Sequence, residues 1–365
     1  MTQPRRPGQP GKIERAADID PRWMSAALGD FGFGGDLVEL SFAPIGTGQM
    51  ADSFRFELSY DAAGSAKGAP SSVVVKMQAA DELSRNAGAS GAYESEVRFY
   101  TELDPTLAIR TPECYYAALP DDDGRFVLVL EDLAPAEQGD QIKGCGVGQA
   151  RSAVVNLAGL HGPRWCDPTL HDLPWIRRVT EEAAKGMQAW LVSITESFIE
   201  HYGSRVSERH APVLRAFAAK SGSWLLGRDE RFSPIHGDYR LDNLLFATPA
   251  GGSPVATVDW QTLEIGLPGR DLGYFLGNSL SPKDRRESER ELVGAYHEAL
   301  IAKGVTEHSL EECFDDYRYG QFQGLLVTVV ASVILTHTDR GDEMFMAMSS
   351  RACEAIRDLQ SLDLL

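Results

Sequence analysis

Nowhere does this sequence carry an apolar run long enough to cross a bilayer. The longest, residues 325–335, falls well short of the ~20 residues a spanning helix requires, so it predicts a buried helix and no membrane. Cysteine is scarce too. The five present (Cys114, Cys145, Cys166, Cys313 and Cys353) are scattered, odd in number and form no Cys-x-x-Cys pair. That argues against a disulfide framework or structural zinc and for a reducing, cytoplasmic setting. Positive charge is in deficit: 35 Lys+Arg stand against 53 Asp+Glu, a net charge of −18. A phosphate backbone needs a basic face, so nucleic acid is excluded as a natural partner. The acidic balance could steer a cationic substrate, but solubility accounts for it equally well. Residues 1–11 are rich in Pro, Gly and Arg with no apolar stretch behind the arginines, and they read as a disordered lead-in rather than a secretory signal.

What remains is an ordinary globular composition. With 43% hydrophobic residues over 365 positions, the chain can bury more than one core. After a short helical segment at 21–28, apolar or alternating runs at 37–44, 53–60 and 72–77 predict strands separated by Gly-rich or small-residue turns. A helix is expected over 92–103, with Val97, Tyr100 and Leu103 on one face. Strands follow near 114–119 and 126–130. Beyond Leu133 the pattern turns helical, at 149–160, 175–202, 210–226, 292–303, 316–336 and 344–359, with short strands at 244–246 and 256–258. Pro, Gly and acidic residues cluster at 131–139, as linkers do. The expected organisation is a tail (1–11), a sheet-bearing region (12–131) and a helical region (132–365).

The strongest chemical signal is His236-Gly237-Asp238-Tyr239-Arg240-Leu241-Asp242-Asn243, running into a strand. Phosphoryl transfer needs a carboxylate to orient and deprotonate the attacking hydroxyl, and an oxygen ligand nearby for Mg²⁺. Asp238 with Asn243 five residues later can supply both. Sixteen residues further on, Asp259 ends an apolar strand and offers a second hard oxygen ligand for the metal.

This His-Gly-Asp-x-x-x-x-Asn pattern, followed by Val258-Asp259-Trp260-Gln261, resembles the aminoglycoside phosphotransferase and choline kinase superfamily, and most nearly its ecdysteroid-kinase-like branch. Protein kinases place His-Arg-Asp and Asp-Phe-Gly at the corresponding points, so Gly237 and Trp260-Gln261 favour a small-molecule kinase. Residues 268–275 also resemble the superfamily, in which the aspartate corresponding to Asp271 anchors the catalytic loop. The resemblance implies an α+β, bilobal protein-kinase-like fold, with an N-lobe of antiparallel β-sheet plus one helix and a mostly α-helical C-lobe.

Further parts follow from the same resemblance. Gly46 and Gly48 lie between two strands, where a phosphate-covering turn belongs, although a plain hairpin turn uses glycines as well. Lys76 ends the Val73–Val75 strand, as suits pairing with the α- and β-phosphates, or is a solvated strand end. Glu96, in Glu96-Val97-Arg98-Phe99-Tyr100, is its implied ion-pair partner, with Glu94 as the competitor. Backbone groups of Glu131 and Leu133 would meet the adenine. Arg240 could touch the transferred phosphoryl group, or pair with Asp242. His236 and His161 read as structural, and Trp260 as core filling rather than a cation-binding wall.

The implied activity is ATP- and Mg²⁺-dependent phosphorylation of a hydroxyl on a non-protein small molecule. A nucleotide-binding pseudokinase scaffold and a protein kinase are the alternatives. The first is opposed by the presence of Lys76, Asp238, Asn243 and Asp259 together. The second is opposed by the missing arginine and the absence of an Ala-Pro-Glu segment. The acceptor stays open among aminoglycosides, amino alcohols, sterol-like alcohols and sugars, as do ATP against GTP and the oligomeric state. Tyr317, Tyr319, Phe322 and residues 325–335 suggest a partly hydrophobic acceptor, and equally a buried helix.

Overall fold

The computed structural model describes residues 10–33, 36–46, 50–61 and 68–365. They form two compact units, each discontinuous in sequence. The first comprises the described residues up to Pro105 with Thr111–Ala134 and Asp259–Gln261. The second comprises Thr106–Arg110, Pro135–Val258 and Thr262–Leu365.

A five-stranded antiparallel sheet organises the first unit, in the order β1-β2-β3-β5-β4. Its strands are β1 (Leu37–Ile45), β2 (Ala51–Tyr60), β3 (Ser72–Gln78), β4 (Cys114–Ala118) and β5 (Val127–Glu131). Alternation on β3 sends Val73, Val75 and Met77 into a core with Phe56, Val127 and Val129. Lys76 is thereby left on the opposite face. Helix α1 (Pro21–Leu28) adds Met24 and Leu28 to that core. The Asp20 side chain caps it by accepting from the Trp23 amide at 2.7 Å. Trp23 Nε1 donates to Gly11 O (2.7 Å) and the Tyr116 hydroxyl to Pro10 O (2.8 Å). The last two residues of the expected lead-in are therefore tied down, and the rest of it lies outside the described residues. Helices α2 (Glu82–Ala87) and α3 (Tyr93–Arg98) follow, and a wider turn at Phe99–Leu103 completes the segment expected at 92–103. Val97, Tyr100 and Leu103 are all buried.

The second unit is mainly helical: α4 (Val147–His161), α5 (Glu181–Tyr202), α6 (Ala211–Ala218), α7 (Ser221–Leu226), α8 (Gly269–Ser279), α9 (Pro282–Ala302), α10 (Leu310–Gly320), α11 (Phe322–Ile334) and α12 (Asp339–Asp358). Its strands are β6 (Glu137–Gln138), β7 (Arg177–Arg178), β8 (Ser233–Ile235), β9 (Leu244–Thr248), β10 (Gly251–Thr257) and β11 (Glu264–Gly266). They form two small sheets, β10-β9-β6 and β7-β11-β8. No helix among the described residues is long and apolar enough to cross a membrane.

Several boundaries depart from the periodicity, each for a local reason. Helix α5 starts at Glu181 because the Thr180 hydroxyl caps it, accepting from the Ala183 amide, while Arg177 and Arg178 pair with β11. The helix expected at 316–336 is two helices joined at Gln321. At that junction Gly320 packs so closely on α8 that a Cβ would lie 1.7 Å from Gly269 O. Helix α8 was not foreseen; every residue from Gly269 to Ser279 is buried, the polar Arg270, Asp271 and Asn278 included. Together these elements make the protein-kinase-like α+β fold: an antiparallel sheet with its helix, then a helical region.

Candidate active site

In the second unit, a loop from His236 to Arg240 joins β8 to a short 3₁₀ turn, Leu241–Asn243, that leads into β9. Gly237 sits at φ +79°, and a Cβ there would lie 2.7 Å from Thr262 O, so only glycine fits. The loop is held from below by Asp271, in the first turn of α8. Its fully buried carboxylate accepts from the amides of His236 (2.6 Å) and Gly237 (2.9 Å). Burial pushes this carboxyl up, but hydrogen bonds from His161 and the loop outweigh it and hold it below the usual range. Burial pulls His161 below its ordinary value despite Asp271, so its neutral ring donates from Nε2 to Asp271 (3.3 Å) and accepts at Nδ1 from the Tyr296 hydroxyl (2.7 Å). His236 takes a single tautomer: Nε2 donates to Val258 O (3.0 Å) and Nδ1 accepts from the Asp238 amide (3.3 Å). Both histidines position the loop.

Asp238 receives three side-chain donors. The Tyr274 hydroxyl donates to Oδ1 at 2.8 Å, while Arg240 Nε (3.1 Å) and Asn243 Nδ2 (2.9 Å) donate to Oδ2. Burial and the Asp238 charge push the Tyr274 phenol well above its ordinary value, so it stays a donor. Asn243 Nδ2 also donates to Asp238 O (2.9 Å), which commits its amide nitrogen and leaves Oδ1 as the atom suited to a cation. Arg240 is spent locally, on Asp238, on Asp242 (2.6 Å) and on the Met344 sulfur (3.2 Å). Burial opposes its charge, but Asp238 and its neighbours raise its pKa regardless.

In the first unit, Lys76 Nζ lies 2.7 Å from Glu96 on α3 and 3.1 Å from Asp259. Burial works against the ammonium, but Asp259 and Glu96 outweigh it and hold its pKa above the ordinary value. Glu96, buried beside a second carboxylate, is pushed up by burial against the pull of Lys76. Gln261 Nε2 donates to Glu96 at 3.3 Å. Asp259 adopts φ +69°, unusual for a residue with a side chain. The next residue pins it: Trp260 is fully buried and stacks on Phe99, with ring centroids 3.6 Å apart. Glu94 pairs instead with Arg98 at 2.7 Å.

The other candidates in this unit are less committed. Gly46 follows β1 at φ +75°, and Gly48 lies outside the described residues. The Glu131 amide donates to Glu113 O (2.8 Å), so that backbone donor is engaged by the protein itself. Leu133 is half-buried two residues on. Between them Asp132 takes a two-point contact from Arg55 (2.7 and 3.0 Å), which fixes the segment. Tyr317, Tyr319 and Phe322 are all buried, with Tyr319 and Phe322 in the helical core, whereas Val333 and Ile334 at the end of α11 are exposed.

Sequence reasoning passed over three supporting residues. Tyr274 had a partial signal, three positions after Asp271, that only the unforeseen helix α8 turns into a shared face. Gln141 Oε1, which accepts from the Leu241 amide (2.9 Å), and Gln323 Nε2, which donates to Gly237 O (2.8 Å), had none, because both reach the loop from distant segments.

Residues 67–311 match the family model described as "Phosphotransferase enzyme family". Among solved structures, a choline kinase from Cryptosporidium parvum Iowa II aligns with TM-score 0.54 at 12% identity, over 89% of this chain and 92% of that one. The GDP complex of wild-type aminoglycoside 2'-phosphotransferase-IIIa aligns with TM-score 0.51 at 12% identity, over 92% and 99%. At such identities these likenesses show the fold alone. No curated protein matches the sequence.

Proposed function

This chain belongs to the phosphotransferase enzyme family, and from that membership we propose that it moves the γ-phosphoryl group of ATP to a hydroxyl of a small, non-protein molecule. The observation that carries the reading is the environment of Asp238: a carboxylate oriented by Tyr274, Arg240 and Asn243, on a loop anchored by the buried Asp271. Such a group suits a general base, because three donors fix the direction in which its oxygens face. Asp238 accepts the proton as the acceptor oxygen attacks phosphorus, and the bond to the leaving ADP oxygen breaks.

Lys76, held by Glu96, is assigned to the α- and β-phosphates. Asn243, by its amide oxygen, and Asp259, by its carboxylate, are the proposed Mg²⁺ ligands. Both are hard oxygen donors of the kind Mg²⁺ prefers, and the bound ion would neutralise charge on the phosphates. Gly46 and Gly48 are assigned to the phosphate-covering turn, and backbone groups of Glu131 and Leu133 to the adenine. Arg240 is placed with Asp238 as its positioning partner, with a phosphoryl contact open to it when substrate draws Asp238 away. We assign the chain to the ecdysteroid-kinase-like branch on the Val258-Asp259-Trp260-Gln261 segment, with a hydroxylated small molecule as acceptor.

The test is a screen of hydroxylated metabolites and antibiotics with Mg·ATP, reading ADP release and product mass. A product about 80 Da heavier, absent with Asp238→Asn, is the expected result. Folded protein that fails to bind Mg·ATP would overturn the reading.

A further inference from the structure

Away from Asp238 and Lys76, three potential metal ligands converge on the surface of the helical unit. His201 lies in the last turn of α5, His337 in the segment between α11 and α12, and Asp342 in the first turn of α12. One ligand atom from each can be chosen so that all lie within 4.8 Å of one another. A tetrahedral ion with bonds of 2.0–2.2 Å requires ligand atoms about 3.4 Å apart, so binding would draw these side chains inward. His337 Nδ1 is already 3.0 Å from Asp342 Oδ1, and the two imidazole rings lie 4.8 Å apart between centroids.

The surroundings favour an ion. The Tyr202 hydroxyl donates to Asp342 Oδ1 at 2.7 Å, orienting the carboxylate as a second layer of contacts does around a metal. That leaves Oδ2 available. A cavity of about 230 Å³ opens beside the two histidines and is also lined by Ser197 and Ser332, giving room for a water or small ligand in a fourth position. Two imidazoles with one carboxylate match zinc, cobalt or nickel and are a poor match for Mg²⁺, which prefers oxygen throughout.

We propose that His201, His337 and Asp342 form a site for a zinc-class divalent ion with one open coordination position. The site does not depend on the activity proposed above. Its consequence is mechanical. The same turn of α12 carries Arg340, 3.4 Å from Asp242, and is followed by Met344, 3.2 Å from Arg240. A bound ion would fasten that turn to the end of α5, and with it the neighbours of the Asp238 loop.

The experiment uses the full-length chain without a histidine tag, in saturating Mg²⁺, titrated with Co²⁺ and read by visible absorption. We expect one equivalent of Co²⁺ per chain to give a ligand-field band that Zn²⁺ abolishes. His201→Gln and His337→Gln should each weaken binding by about tenfold or more. His171→Gln, at an exposed histidine elsewhere on the unit, should leave it unchanged. Because all three histidines are exposed, circular dichroism should confirm that each variant is folded. No band at millimolar Co²⁺, or equal weakening by His171→Gln, would overturn the site.

Discussion

The group around Lys76 and the group around Asp238 are built on opposite plans. Lys76, Glu96 and Asp259 come from a strand, a helix and a returning segment, and the Lys76–Asp259 contact spans 183 positions. One ammonium serves two carboxylates there. The group has two carboxylates to one ammonium, a balance in keeping with the cation site proposed above. Asp238, by contrast, draws Arg240 and Asn243 from its own short loop and only Tyr274 from beyond it. The first arrangement depends on long-range charge placement, the second on local backbone geometry. A charge cluster assembled from afar is sensitive to any loss of balance. A loop built on a positive-φ glycine and a buried anchor resists rearrangement but tolerates the loss of one donor.

That contrast can be tested by unequal damage. Lys76→Met leaves Glu96 and Asp259 side by side without a cation, and should lower kcat/KM for the nucleotide by about 100-fold or more. Glu96→Gln keeps the Lys76–Asp259 pair and should cost clearly less. Equal losses in steady-state kinetics would show that the lysine's charge is not what matters.

Tyr274→Phe removes one of three donors to Asp238 and should lower kcat by about tenfold, with KM for the nucleotide little changed. A merely structural tyrosine would lower stability and leave kcat of the folded enzyme unchanged.

The smallest effect concerns the anchor. His161 is held below its ordinary value, chiefly by burial. The unfolded chain therefore binds protons near pH 6.5 that the folded one refuses, and stability should fall as pH drops below about 6.5. In thermal unfolding between pH 7 and pH 5, His161→Gln should flatten that slope by at most about 1.4 kcal/mol per pH unit. An unchanged slope would mean that His161 is charged in the fold.

Much of this was open to reading along the chain. The Val73–Val75 run ending in Lys76 was legible as a strand, and the spacing of Asp238, Asn243 and Asp259 nominated them for the chemistry proposed above. Helix periodicity placed Val97, Tyr100 and Leu103 on a buried face. It failed at α8, a helix buried on all sides, and at Gln321, where a helix breaks to let Gly320 meet Gly269.

By itself, then, the sequence pointed to the fold class and the phosphotransferase family through its motif resemblance, and it nominated the residues to which phosphoryl chemistry is assigned above. Only the tertiary structure decided that Glu96 rather than Glu94 meets Lys76, that Arg240 is spent on Asp238 and Asp242, and that Tyr274 donates to Asp238. It alone gathered His201, His337 and Asp342. The physical reason is the same in each case: a hydrogen bond or ion pair acts over about 3 Å, a range on which residues far apart in the chain become neighbours only after it folds.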